Sequence, residues 1–79
     1  MNILHKYKIR IDTMKEAEAF VQSARNVNAT VLVKDDDGHC VNGKSVLGML
    51  YALEFNELWC ETDSDATLFL TPFLVGESY

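Results

Sequence analysis

Polar and apolar positions alternate strictly through Lys6-Tyr7-Lys8-Ile9-Arg10-Ile11, the two-residue period of a strand with one buried face. Thr13-Met14-Lys15-Glu16 follows at capping-box spacing, so the Thr13 hydroxyl can accept from the Glu16 amide while the Glu16 carboxylate reaches back. Behind it Ala17, Phe20, Val21 and Ala24 recur at helical intervals, with Lys15, Glu18, Gln22 and Arg25 outward. Asn26 and Asn28 mark the end of this helix. The β-branched run Ala29 to Lys34 predicts a second strand. Asp35-Asp36-Asp37-Gly38 predicts a tight turn in which Gly38 supplies the positive φ, and His39-Cys40-Val41 returns as a third strand. Ser45 is placed to cap a second helix from Val46 to about Leu53, whose surface is nearly all apolar. Glu57 to Thr62 predicts the last strand, on which Trp59 points away from Leu58 and Cys60, toward the uncovered face of the sheet.

The tail admits two paths. Asp63 or Ser64 can cap a third helix through Ala66, Leu68 and Phe69, which Pro72 then stops, kinks or confines to about two turns by clashing with the Leu68 carbonyl. An extended path for Thr67 to Thr71 is the alternative. The order β-α-β-β-α-β, with a short final α, implies an α+β open-faced β-sandwich, one antiparallel sheet with its helices on one face. With 79 residues the chain makes one domain, residues 1–79, since neither half alone buries a core.

Composition narrows the function classes. A formal charge of −5, with no Lys or Arg in the last thirty residues, argues against nucleic acid, whose affinity comes from clustered cations. It is compatible with basic protein partners. The longest apolar run, Leu68 to Val75, is interrupted by Thr71 and Pro72 and is too short for a membrane span, and Met1 to Leu4 leads straight into His5 and Lys6 rather than into a signal-peptide core. A cytoplasmic protein is expected. Cys40 and Cys60 form no CxxC pair, and their expected state is two reduced, half-buried thiols with no metal and no cofactor. His5 and His39 read as ordinary surface imidazoles.

Phe20-Val21-Gln22, and above all Val41-Asn42-Gly43-Lys44-Ser45-Val46-Leu47-Gly48-Met49-Leu50, resemble the HPr family, phosphocarriers of the bacterial sugar phosphotransferase system. The family pattern at the second segment is V-N-x-K-S-[IL]-[ML]-G-[LVM]-[ML]. The resemblance, over roughly residues 4–75, implies a four-stranded antiparallel sheet of order 1-4-2-3. In that order strand 2 stands between Cys40 and Cys60, which disfavours a disulfide.

The departure lies before helix 1, where the family reads G-[LI]-H-A-R-P-A. Thr13 falls at the phosphate-accepting histidine, Lys15 at the arginine and Glu16 at the proline. A phosphohistidine passes its phosphoryl group on, whereas a threonine phosphoester would trap it. Asp12 and Glu16 also set negative charge beside the position. The resemblance thus implies a non-enzymatic regulatory protein of the sugar phosphotransferase system, similar to the catabolite-repression paralogue that lacks the histidine. Its alternatives are a carrier using another residue, or an interaction module that has lost phosphorylation. In some members the serine matching Ser45 is phosphorylated by an ATP-dependent kinase, and the product binds a transcription regulator. Ser45 is therefore the candidate regulatory phosphosite, and an HPr-type kinase and a transcription regulator are candidate partners. Leu47, Gly48, Met49 and Leu50 form the candidate partner surface, with Leu47 and Met49 expected to be exposed.

Overall fold

The computed structural model describes residues 4–65 and 67–75. Its elements are β1 (His5–Ile9), α1 (Met14–Arg25), β2 (Val31–Lys34), β3 (Cys40–Asn42), α2 (Val46–Ala52), β4 (Leu58–Thr62) and α3 (Thr67–Leu70), followed by a 3-10 turn over Thr71–Phe73. The strands form one antiparallel sheet ordered β1-β4-β2-β3, as the resemblance implies. Cys40 and Cys60 are free, with β2 between their strands.

Apolar periodicity explains the packing. Ala17, Phe20, Val21 and Ala24 are the buried residues of α1, and they meet Val31, Val33 and Cys60 from alternate positions of β2 and β4. Phe20 is the hinge pin of this core, its ring lying 5.2 Å from Phe73 and 5.5 Å from Phe69. Edge-on and tilted ring contacts of this kind bring the C-terminal turn against α1. The other side of the sheet is polar. Trp59 sits there half-buried, with Lys6 and Lys8 4.9 and 4.7 Å from its ring centroid and its Nε1 donating to Asp36. Lys34 donates to Glu61 at 2.9 Å, and Lys8 pairs with Glu57.

Several boundaries differ from the periodic reading. β1 ends at Ile9, two residues early, because Ile9 pairs with Leu58, where β4 begins, and the chain beyond it turns to the C-terminal segment. Arg10 N donates to Phe73 O at 2.8 Å, Val75 N donates to Lys8 O at 3.1 Å, and Ile9 bridges Leu74. Ile11 is still buried, although it lies beyond the strand. β3 is shifted by one, from Cys40 to Asn42, since His39 belongs to the turn. The expected pair of half-buried thiols is corrected: Cys40 is exposed on edge strand β3, and Cys60 is buried on β4, which β1 and β2 flank. Of the two tail paths the helical one is found, as a single turn ending in the 3-10 turn that holds Pro72. Ala66, assigned to that helix above, lies outside the described residues. Asp63 accepts from the Thr30 amide at 3.0 Å.

Candidate functional site

The N-terminus of α1 carries position 13. Thr13 is its N-cap, with extended backbone, and its Oγ1 accepts from Glu16 N at 3.1 Å. Glu16 Oε1 accepts from the amides of Asp12 at 2.8 Å and Thr13 at 3.2 Å. A helix N-terminus attracts anions because its first amides lack partners. Here the Thr13 hydroxyl and the Glu16 carboxylate take two of those amides, Glu16 N and Thr13 N, and the carboxylate also holds Asp12 N just before the helix. Arg10 Nε pairs with Asp12 at 3.1 Å, and Lys15 is exposed. A shallow groove of about 300 Å³ runs beside this turn, lined by Lys8, Arg10, Asp12, Phe55 and Glu57 among others. Both its cations are paired with carboxylates.

Ser45 caps α2 as the sequence implies. Its backbone is extended, its Oγ accepts from Gly48 N at 3.1 Å, and the residue is half-exposed. The loop before it is tightly built. Gly43 N donates to Val31 O at 2.7 Å, Lys44 N to Asn42 Oδ1 at 2.8 Å, and Lys44 Nζ to Val27 O at 2.7 Å. Arg25 Nε donates to Lys44 O at 3.0 Å, so Ser45 neighbours the C-terminal end of α1, whereas Thr13 opens the other end. A helix of 12 residues is ~18 Å long, so the fold keeps positions 13 and 45 apart.

Of the expected partner surface, Leu47 is exposed at 80%, Gly48 and Leu50 are half-buried, and Met49 is fully buried. Met49 is a correction. On α2 it lies three residues from Val46 and three from buried Ala52, so its side chain turns inward into the core that Phe20 fills. Leu47 and Tyr51, four residues apart, make the outward stripe instead, with Tyr51 53% exposed. An almost wholly apolar helix offers no polar residue from which its outer face can be read.

His39 extends this stripe. Its ring stacks on Phe55 at 5.4 Å and meets Tyr51 edge-on at 6.2 Å, while Tyr51 and Phe55 are 5.4 Å apart. Nδ1 donates to Asp35 Oδ2 at 2.7 Å, and Asp35 Oδ1 accepts from the amides of Asp37 and His39 at 2.9 and 2.8 Å. His39 is thus a fixed surface imidazole. Burial alone would push the Asp35 carboxyl up, but the two amides and the facing ring together hold it below its ordinary value. Asp35, Asp37 and His39 bring donor atoms within 4.8 Å of one another, but Asp35 is already engaged by that ring and those amides. The one signal for this cluster along the chain is an Asp and a His at the two ends of one turn.

A structure search aligns the chain with a phosphocarrier protein HPr from Bacillus anthracis str. Ames. The TM-score is 0.62 and the identity 21%, over 89% of each chain. The fold is that of HPr. No family model and no curated protein matches the chain. Within the HPr fold, α1 and α2 present the turn at Thr13, the cap at Ser45 and the stripe at Leu47 and Tyr51. No described helix is long and apolar enough to cross a membrane.

Proposed function

We propose that this chain is a regulatory, protein-binding member of the phosphoenolpyruvate-dependent sugar phosphotransferase system that does not carry phosphate on position 13. The observation that supports this most is the mutual capping of Thr13 and Glu16. Glu16 and Thr13 themselves hold the amides of Asp12, Thr13 and Glu16 at this turn, and both cations of the neighbouring groove are paired. An incoming dianion would have to displace a carboxylate and would meet Asp12 and Glu16 at close range.

Recognition then runs through α2. Leu47 and Tyr51, with half-buried Gly48 and Leu50, offer the apolar area a protein partner covers. Ser45 is the regulatory position: its half-exposed hydroxyl is open to an HPr-type kinase, and a phosphate on it would add about two negative charges beside the Leu47 stripe. A transcription regulator is the partner class that such a modification would select. The protein is cytoplasmic and non-enzymatic in this reading.

The test is two parallel incubations read by mass. One holds phosphoenolpyruvate and the general phosphotransferase enzyme, the other ATP and an HPr-type kinase. The expected result is no acid-labile phosphate in the first and a stable phosphate on Ser45 in the second. An acid-labile phosphate passed on to a sugar-transport acceptor defeats the proposal.

A further inference from the structure

We infer that the outer face of α2, with the β2–β3 turn folded against its C-terminal end, docks a partner segment that presents an apolar side chain flanked by arginine or lysine. The inference rests on the reading of α2 as a protein-binding face and adds which partner chemistry it selects.

Two independent features coincide there. The first is shape and composition: exposed Leu47 and Tyr51 continue through the His39 ring to Phe55, giving an aromatic ledge that spans a helix, a turn and a loop. Asp35 locks the His39 ring in place through Nδ1, so the ledge is preorganised and little side-chain entropy is lost when it is covered. The second feature is charge. α2 itself carries none. Glu54 lies one residue before Phe55, and its amide donates to Tyr51 O at 3.0 Å. Asp37 brings its carboxylate within 4.8 Å of the donor atoms of Asp35 and His39. Both Glu54 and Asp37 are exposed.

Counter-charges are few on this side. Residues 35–57 contain five carboxylates, at 35, 36, 37, 54 and 57, against the single cation Lys44. Lys44 precedes α2, and its ammonium is held on Val27 O. Asp36 turns to Trp59 on the open sheet face, and Glu57 pairs with Lys8, which leaves Glu54 and Asp37 as the acidic rim of the ledge. Guanidinium groups suit such a rim, since they stack on aromatic faces and bind carboxylates in two-pronged fashion. An apolar anchor beside such cations matches the Leu47–Tyr51 stripe, which ends near Glu54 and at the turn that holds Asp37.

The experiment titrates the isotope-labelled protein with a synthetic amphipathic peptide bearing leucines on one face flanked by arginines. A second titration uses the same peptide with glutamate in place of arginine. For the arginine peptide, amide shifts are expected at residues 37–39, 47, 51, 54 and 55. Tyr51→Ala is expected to weaken binding ~10-fold, the scale of losing one aromatic anchor. Asp37→Asn with Glu54→Gln is expected to weaken it several-fold and flatten its salt dependence. These side chains are exposed, and unchanged melting of the variants confirms that they fold. Equal binding of the glutamate peptide overturns the charge selection while leaving α2 as a binding face. Shifts confined to the Trp59 face, or none with either peptide, overturn the docking site. Self-association by sedimentation that Leu47→Ser abolishes makes a second copy the occupant and overturns it as well. None of these outcomes depends on Ser45, so phosphorylation by the kinase stands or falls separately.

Discussion

Thr13 and Glu16 cap each other across the first turn of α1, hydroxyl to amide at 3.1 Å in one direction and carboxylate to amide at 3.2 Å in the other. The arrangement stabilises the helix and sets a carboxylate at its end in the same stroke. Of the first four amides the cap takes those of Thr13 and Glu16, and the Glu16 charge opposes an anion approaching those of Met14 and Lys15.

The first prediction follows from that pair. Thr13→Ala should lower stability by ~1 kcal/mol, the usual cost of losing an N-cap side chain. Urea unfolding measures it. Thr13→His should restore little phosphoryl transfer, because Lys15 and Glu16 keep their places and Glu16 still binds the Asp12 amide. Efficient transfer by that variant in the phosphoenolpyruvate assay would show that only the imidazole was missing.

Two glycines should fail for different reasons. A Cβ on Gly43 would come within 2.5 Å of Val31 Cγ1 and 3.1 Å of the Val31 carbonyl, with Phe20 close behind at 3.2 Å. Gly43→Ala should therefore cost ~1–3 kcal/mol through overpacking. Gly38 has open space around it but sits at φ +93°. Gly38→Ala should cost ~1–2 kcal/mol through backbone strain alone. Thermal melts of the two variants test the ordering, and a neutral Gly43→Ala would contradict the tight loop before Ser45.

Acid stability should depend on Asp35. Its carboxyl is held below the ordinary 3.8, so the folded state binds this proton more weakly than the unfolded state does. The stabilisation is complete above pH 3.8 and is lost as pH falls through the lowered folded value. Asp35→Asn should flatten that part of the stability curve below pH 4, as followed by urea midpoints at successive pH values. An unchanged acid limb would mean that other carboxylates set it.

The two thiols should react very differently. Burial, helped by the neighbouring Glu61 charge, pushes the Cys60 thiol up to about 12, whereas Cys40 is exposed on the sheet edge. Iodoacetamide at pH 8 should label Cys40 alone in the native protein and both after unfolding, since the thiolate is the reactive form. Intact mass before and after denaturant reads this directly, and rapid native labelling of Cys60 would count against its burial in β4.

Local chemistry was the legible part of the site. The cap at Thr13, the cap at Ser45, the turn at Gly38 and the outward Trp59 each depend on residues within a few positions of one another. The docking face was less legible. Val46, Leu47, Met49, Leu50 and Tyr51 give no polar contrast, so the sequence could not say that Met49 turns inward and that Tyr51 takes its place outside. Nor could the alternation at Arg10 and Ile11 reveal that the chain there leaves the strand to pair with Phe73.

By itself, then, the sequence determined most of the elements with their caps and turns, because hydrogen bonds within a turn and periodic burial act over short stretches of chain. Tertiary structure alone decided which side of α2 meets solvent, that His39 joins Tyr51 and Phe55, that Thr13 and Ser45 occupy opposite ends of α1, and that the thiols differ in exposure. Those outcomes follow from which surfaces compete for the same core volume, and that competition is between residues distant along the chain.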